Sequence, residues 1–579
     1  MNRKKSVLLV CWIIIMLLVA TTVGCSANKE ASEVQNGSQQ EETTDSKQTE
    51  TGGEQSIYTE IGTYPIVNEK ITLKFFAPET PVIIDLNTNE FTKYMEDKTN
   101  IHIEWETAPM DSVNEKINLI LASGDYPDVF FGCDIRTDVE ERYGTQEGIF
   151  IPLDDLIDKY TVNFKQILQE REELNDVIRA TDGKIYSLPS IQDCFHCEYA
   201  QKMWINKFWL DKLGLNMPQN TEEFYQVLKA FKEQDPNGNG KQDEVPLAGA
   251  IDGWHQGIDN YIMNAFIFDS GVEDPLRRFV KDGKVDTSVN KPEYREGLKY
   301  LNRLYKEGLI YEGSFTQKFD QVKQLALNAG DEILGAAPAG HLAMFLDVVT
   351  DPERYRHFTS LPPLEGPNGY RVATHFKYFA IQPGEFAITK SCEYPEAAIR
   401  YADAYYDYET QMYRQWGKEG EAWRKAESGE LGLDGKPALY KVLVPFDENA
   451  QNIHYGWLGI EYIPNELWNG QNVVSADTDL YSAEGFEKLL YEETKQKYEP
   501  YKSSDTEVVP PLRFTREESE RISILSVELE NYIKDARVRF IMGDMDLDTE
   551  WESYVAGLES IGLSEYLDIV QKAYDRMHK

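Results

Sequence analysis

Between Ile71 and Gly132 the chain alternates stretches of period two with stretches of period 3.6, and this alternation constrains the fold more than any other feature. Ile71-Thr-Leu-Lys-Phe-Phe76 alternates as a strand does and stops before Pro78. Asn89 to Asp97 has helical spacing, Ile101-His-Ile-Glu-Trp105 is a second strand, Val113 to Ser123 a second helix, and Asp128-Val-Phe-Phe-Gly132 a third strand. Parallel neighbours need a long crossover, usually a helix, so the order strand, helix, strand, helix, strand implies an α/β fold with a helix-covered parallel sheet. With 579 residues, the chain exceeds what one hydrophobic core supports, and two lobes or more are expected.

The first residues are a targeting segment rather than part of that body. Arg3, Lys4 and Lys5 form a basic start, Val7 to Val23 is apolar, and Thr22-Val-Gly-Cys25 resembles a lipobox, although Thr22 stands where Leu is usual. Residues 1–24 are therefore expected to be a lipoprotein signal peptide, with Cys25 lipidated and holding the chain on the outer face of the cell membrane. The other reading is a secreted chain cleaved near Gly24. Residues 25–60 are Glu, Gln, Ser, Thr, Asn and Lys with few strong hydrophobes. Such a stretch cannot bury enough to offset its ordering entropy, and it is expected to be a tether.

The formal net charge of −40 argues against nucleic acid, because that field repels a phosphate backbone. Cys194-Phe-His-Cys197 reads as a redox pair, half a zinc site, a local disulfide or two reduced thiols. No second CxxC and no HExxH, GxSxG or P-loop pattern occurs in the chain. Paired carboxylates for glycoside cleavage remain open, because they pair in space rather than in sequence.

Asp235-Pro-Asn-Gly-Asn-Gly-Lys-Gln-Asp-Glu-Val-Pro246 follows an amphipathic helix at Thr221 to Phe231 capped by Asn220 or Thr221. Asp235, Asn237, Asn239 and Gly240 fall at positions 1, 3, 5 and 6 of an EF-hand loop. Lys241 would add its carbonyl, and Asp243 with Glu244 would close the shell around a structural Ca2+. Pro246 stands where an EF-hand places its bidentate Glu, so no second EF helix follows. The alternative is a polar Asn/Gly turn without an ion.

The stretch FKEQDPNGNGKQDEVPLAG resembles the calcium loop of the extracellular solute-binding proteins that serve ABC importers, particularly binders of alginate and glycosaminoglycan oligosaccharides. EKINLILASGDYPDVFFG at 115–132, IPLDDLIDKY at 151–160 and MWINKFWLDKLG at 203–214 are similar to the same family. The resemblance implies a two-lobe periplasmic-binding-protein-like type II fold with hinge crossings and no catalytic activity. It implies a monomer that captures an oligosaccharide between its lobes and delivers it to permease subunits. Residues 61–188 with 330–385 are expected to form the first lobe, and 189–329 with 386–579 the second. On this reading 182–189 crosses between lobes, 330–345 returns to the first, and Phe386–Thr389 crosses back. Trp254 and His255, with Trp416, Glu419 and Trp457 in loops assigned to the second lobe, are the expected ligand contacts. Lys202, Lys207, Arg371 and Arg414 are candidate partners for an acidic glycan. A surface glycan-degrading hydrolase or lyase, or a peptide receptor, are the alternatives.

Overall fold

A computed structural model of the chain describes residues 56–444, 451–472 and 478–578. The signal segment, Cys25 and the tether up to residue 55 lie outside the described residues. Residues 56–60, expected in the tether, belong to the body instead: Tyr58 forms a bridge with Val67, and the neighbouring Ile66 and Val67 are buried.

The first lobe is organised on a six-stranded sheet. Ile71–Glu79 pairs in parallel with Ile101–Pro109 and with Val129–Phe131, aligning Phe75 with both Trp105 and Val129. Ile381–Ile388 is inserted antiparallel between Val129–Phe131 and Leu188–Gln192, and Tyr462–Ile463 closes the edge. Both faces of the sheet are covered, as a mixed α/β sheet requires. Leu73 and Phe75 join Phe91 and Met95 of helix Glu90–Thr99 on one side. Phe76 and Phe130 meet Val113, Ile117, Ile120 and Leu121 of helix Val113–Ser123 on the other. That helix spans the residues that the spacing predicts, because its apolar positions recur at i, i+4, i+7 and i+8.

The second lobe has a three-stranded antiparallel sheet with Met203–Asn206 at its centre, flanked by Ala336–Pro338 and Phe358–Leu361. Its core adds Phe224, Leu228 and Phe231 of helix Thr221–Glu233, and Tyr294, Leu298 and Leu301 of helix Pro292–Lys306. The last three helices, Arg516–Met542, Trp551–Ile561 and Leu563–Met577, pack on the same core. Thr515 and Glu518 form a capping box that fixes the start of the longest helix.

The strand pairing corrects the expected course of the chain. Residues 336–338 hydrogen-bond to the second-lobe strand Met203–Asn206, so the stretch 330–345 does not return to the first lobe. The outgoing crossing is 193–202 and not the expected 182–189, because Leu188–Gln192 is a strand of the first sheet; the return runs beside it through 362–380, where the Phe376 amide donates to the Glu198 carbonyl at 2.9 Å. Phe386–Thr389 is not a crossing either, because Phe386–Ile388 lies inside the first sheet and helix Pro395–Asp403 packs on that lobe's core. Small residues at 335–340 allow a close approach of backbone, and in the fold that approach is to Trp254 and Phe231 within the second lobe.

Candidate functional site

Where the first sheet meets the crossings, a cavity of about 540 Å³ opens between the lobes. Asp134 follows the strand Val129–Phe131, and Ser190 and Gln192 stand on the end of Leu188–Gln192. Gln382 and Glu385 come from Ile381–Ile388, Trp457 and Glu461 from the loop before the edge strand, Tyr378 and Phe379 from the return crossing, and Glu273 from the second lobe. Ends of sheet strands at a change in connectivity are where open α/β sheets leave a crevice for ligands. Trp457 is 52% exposed and Phe379 37% exposed, so both offer a ring face to the cavity.

The acids of the cavity are held differently from one another. Arg414, fully buried, donates to Glu461 Oε1 at 2.7 Å and to the Gly456 carbonyl, while the Glu461 amide is tied to Ser190 Oγ at 2.8 Å. Asp134 accepts from the Gln382 side chain. Among the described residues Glu385 has no side-chain partner of this kind. Burial, reinforced by Asp134 and Glu461, pushes its carboxyl well above the usual carboxylate range.

Beside the cavity Trp254 lies flat across Gly340, where an added Cβ would come 2.0 Å from the indole. Its ring centroid stands 5.6 Å from His341 and 6.4 Å from Phe379. His255 occupies the left-handed region at φ 56°, which turns its imidazole inward; it is buried against Phe376, with Nε2 3.2 Å from Glu273 Oε1. The same burial lowers the His255 pKa. Neither ring nitrogen of His255 has a hydrogen-bond partner among the described residues, so His255 lies against Glu273 without being bonded to it, while Trp254 adjoins the wall.

The structure brings Trp254, His255 and Trp457 to the cleft region and leaves Trp416 and Glu419 off the cavity wall. Trp416 ends helix Tyr408–Trp416 and packs with Met412, Trp423, Tyr440, Ile463 and Leu467. Glu419 is exposed next to a small two-stranded sheet, Trp423–Lys425 with Tyr440–Val442. The expected second-lobe location of Trp416 and Trp457 is corrected: the helix carrying Trp416 packs Tyr413 on Phe91, and Gly459, two residues after Trp457, seats on the Phe131 ring, both in the first lobe. None of the four basic candidates lines the cavity. Lys207 pairs with Asp211, Arg371 stacks 4.0 Å over Tyr501, and Arg414 stands behind Glu461. Lys202 is wholly buried and donates to the carbonyls of His196 and Tyr199 at 2.7 and 2.6 Å; desolvation brings its pKa down to about 7. Those carbonyls belong to the crossing that carries the Cys194–Cys197 disulfide, which excludes these thiols as zinc ligands.

Asp134, Glu273, Glu385 and Glu461 were not singled out by sequence. For Glu385 a signal existed: Pro383-Gly384 interrupts an apolar strand, and such an interruption marks a bulge that re-aims a side chain.

The loop 235–244 lies in the second lobe and supplies no residue to the cavity lining. Asp235 accepts the amides of Gly238, Asn239 and Gly240 at 2.9 to 3.1 Å, and Asn239 Oδ1 accepts the Lys241 amide at 2.7 Å. The side-chain amides of Asn237 and Asn239 both turn toward Asp243, and Asn239 also reaches Asp331. Both oxygens of Glu244 are buried without a hydrogen-bond partner, and burial beside Asp235 and Asp243 raises the pKa of Glu244. An orphaned buried carboxylate amid acids and amides fits a hard, oxygen-seeking cation, since turning either amide by 180° presents another oxygen.

A model of the bacterial extracellular solute-binding proteins matches residues 83–412. The chain is 31% identical over 527 residues to the fructooligosaccharide ABC transporter substrate-binding protein FusA of Streptococcus pneumoniae, covering 89% of this chain and 92% of that one. It is 24% identical to the lipoprotein LipO of Bacillus subtilis, over 87% of this chain and 92% of LipO. Among solved structures, FusA in complex with kestose superposes with a TM-score of 0.69 at 28% identity, covering 88% of this chain and 99% of that one. A human-milk-oligosaccharide-binding solute-binding protein of Bifidobacterium longum infantis, at 21% identity and a TM-score of 0.71 over 88% and 99% of the two chains, shares the fold.

Proposed function

The chain belongs to the bacterial extracellular solute-binding proteins, and from that premise we propose that it is the substrate-binding component of an ABC importer whose ligand is an oligosaccharide. It captures the ligand between its two lobes and hands it to membrane permease subunits, without chemical change. The observation that carries the ligand class is the pairing of exposed Trp457 and Phe379 with carboxyls and amides in one cavity. Ring faces cover the apolar faces of sugars, and the polar groups hydrogen-bond their hydroxyls. FusA, similar to this chain along nearly its whole length, is a substrate-binding protein for fructooligosaccharides.

Capture follows from the connectivity. The lobes have separate cores joined by crossings at 193–202 and 362–380 and by a third passage between Ile463 and the second-lobe helix Phe486–Lys497, and rotation about such segments closes a cleft at little cost to either core. Trp254 and Trp457 are the side chains proposed to stack on the ligand, with His255 behind Glu273. Asp235, Asn237, Asn239, Asp243, Glu244 and the Lys241 carbonyl are proposed to hold a structural Ca2+, a reading supported by the orphaned Glu244 oxygens and by the existence of an EF-hand mutant of FusA. The ion would neutralise acids of the loop when bound and would take no part in ligand contact. Cys25 is proposed to carry the lipid that keeps this monomeric receptor at the membrane beside its permease, as the lipoprotein relative LipO suggests.

Calorimetry of the purified chain with oligosaccharide pools, followed by chromatography of the sugar, tests the reading. Saturable binding with the sugar recovered intact is expected. Shortened sugar would point to a hydrolase or lyase, and binding of peptides alone would remove the carbohydrate assignment.

A further inference from the structure

Building on the receptor reading, we propose that Glu385 is a specificity-determining residue: with Asp134, Glu273 and Glu461 it makes the cleft a site for uncharged sugars and one that turns away uronates. Acids on a surface would not argue this by themselves. The second observation is the state of Glu385, which is 8% exposed, lies on the cavity wall, and makes no side-chain hydrogen bond among the described residues. The backbone aims it there. Pairing between Ile381–Ile388 and Leu188–Gln192 shifts register between Gln382 and Phe386. Gly384 takes φ 87° at that point, where a Cβ would lie 2.4 Å from the Ile135 carbonyl oxygen.

The surroundings of Glu385 leave a ligand anion unanswered. Among the described residues no Lys, Arg or His lines the cavity. Arg414, behind the wall, is already committed to Glu461, Gln411, Gln415 and the Gly456 carbonyl, and Lys377, outside the lining, donates to the hydroxyl of Tyr378 at 3.3 Å. A uronate carboxylate in this space would face the acids Asp134, Glu273 and Glu461 with only the neutral donors of Ser190, Gln192 and Gln382 on the wall to meet it, and like charges so placed are unfavourable. A hydroxyl meets the opposite situation. Ser190, Gln192 and Gln382 stand on the same wall with donors and acceptors for it, and Glu385, whose carboxyl pKa is pushed upward by burial, adds an unengaged acceptor.

The test is calorimetry of the whole chain with neutral oligosaccharides (fructan, mannan and galactan fragments) and with uronate oligosaccharides (galacturonan and alginate fragments) of the same length. At least one neutral series should bind, and every uronate series should bind about a hundredfold more weakly or not at all. Glu385→Gln, which keeps the side chain's size and a carbonyl acceptor, should hold the neutral ligand within about threefold, whereas Glu385→Ala should weaken it by about tenfold or more. Uronate binding as tight as the neutral series, or unchanged affinity in Glu385→Ala, overturns the assignment and leaves the receptor reading standing. Should Glu385→Ala not fold, Glu385→Gln and the wild-type comparison decide. Binding of neither series removes the receptor reading and this inference together.

Discussion

The loop at 235–244 and the cleft between the lobes are built from the same chemistry, carboxylates and carboxamides, yet they gather it in opposite ways. The loop takes its groups from consecutive residues, fixed by local turns such as the three amides that Asp235 accepts. The cleft takes Asp134, Gln192, Glu273, Glu385 and Glu461 from separate stretches of both lobes. A loop whose geometry is local can fail without disturbing the rest, whereas a wall shared by several elements couples binding to the stability of the lobe behind it.

That contrast is sharpest at Arg414. Arg414→Met leaves Glu461, 7% exposed, without its cation and should cost about 3–5 kcal/mol of first-lobe stability as well as ligand affinity. Denaturant unfolding reads the loss, and the double variant Arg414→Met with Glu461→Leu should regain most of it. A single variant as stable as wild type would show the wall to be no more coupled than the loop.

Removal of the ion by a chelator should cost about 3 kcal/mol if free Ca2+ exceeds its Kd by a few hundredfold. Oligosaccharide affinity should change by no more than about twofold, because the loop stands apart from the cavity lining. Asp235→Ala should abolish the chelator's effect on the melting temperature. A chelator that removes ligand binding outright would break the separation of the two regions.

A smaller effect is expected from His341, beside Trp254. Desolvation holds its pKa at about 4 against 6.5 in the unfolded chain, so between these values the unfolded state binds the proton more readily. Stability present above pH 6.5 is therefore lost as pH falls toward 4. His341→Gln should make that loss shallower by up to about 3 kcal/mol across the window, measured as the melting temperature of variant and wild type at matched pH. Parallel curves would remove His341 from the acid response.

The mildest change is Trp254→Ala. Removing one stacking face should weaken oligosaccharide binding by about 1 kcal/mol, roughly a factor of five. Trp254 is not among the residues lining the cavity, so the wall should otherwise persist. Unaltered affinity would show that Trp254 supports Gly340 and His341 without touching sugar.

Much of the fold was legible because it rests on short-range periodicity. Helix Val113–Ser123 has the boundaries that its apolar spacing predicts. The misassigned pieces share another cause. Ala336–Pro338 and Phe386–Ile388 are short apolar runs, and nothing in such a run says which sheet will take it up; the pairing partners, Met203–Asn206 and Val129–Phe131, lie far away in sequence.

The sequence by itself determined the loop, the two-lobe class and the family, because ligand spacing, hydrophobic period and long matching stretches are properties of neighbouring residues. Only the tertiary structure decided the cleft. It withdrew Trp416 and Lys202 into packing, set Arg414 behind Glu461, and let a bulge at Gly384 turn Glu385 toward the ligand space. The physical reason is that a side chain's charge state and exposure depend on what the rest of the chain folds around it, and at this site those partners come from both lobes.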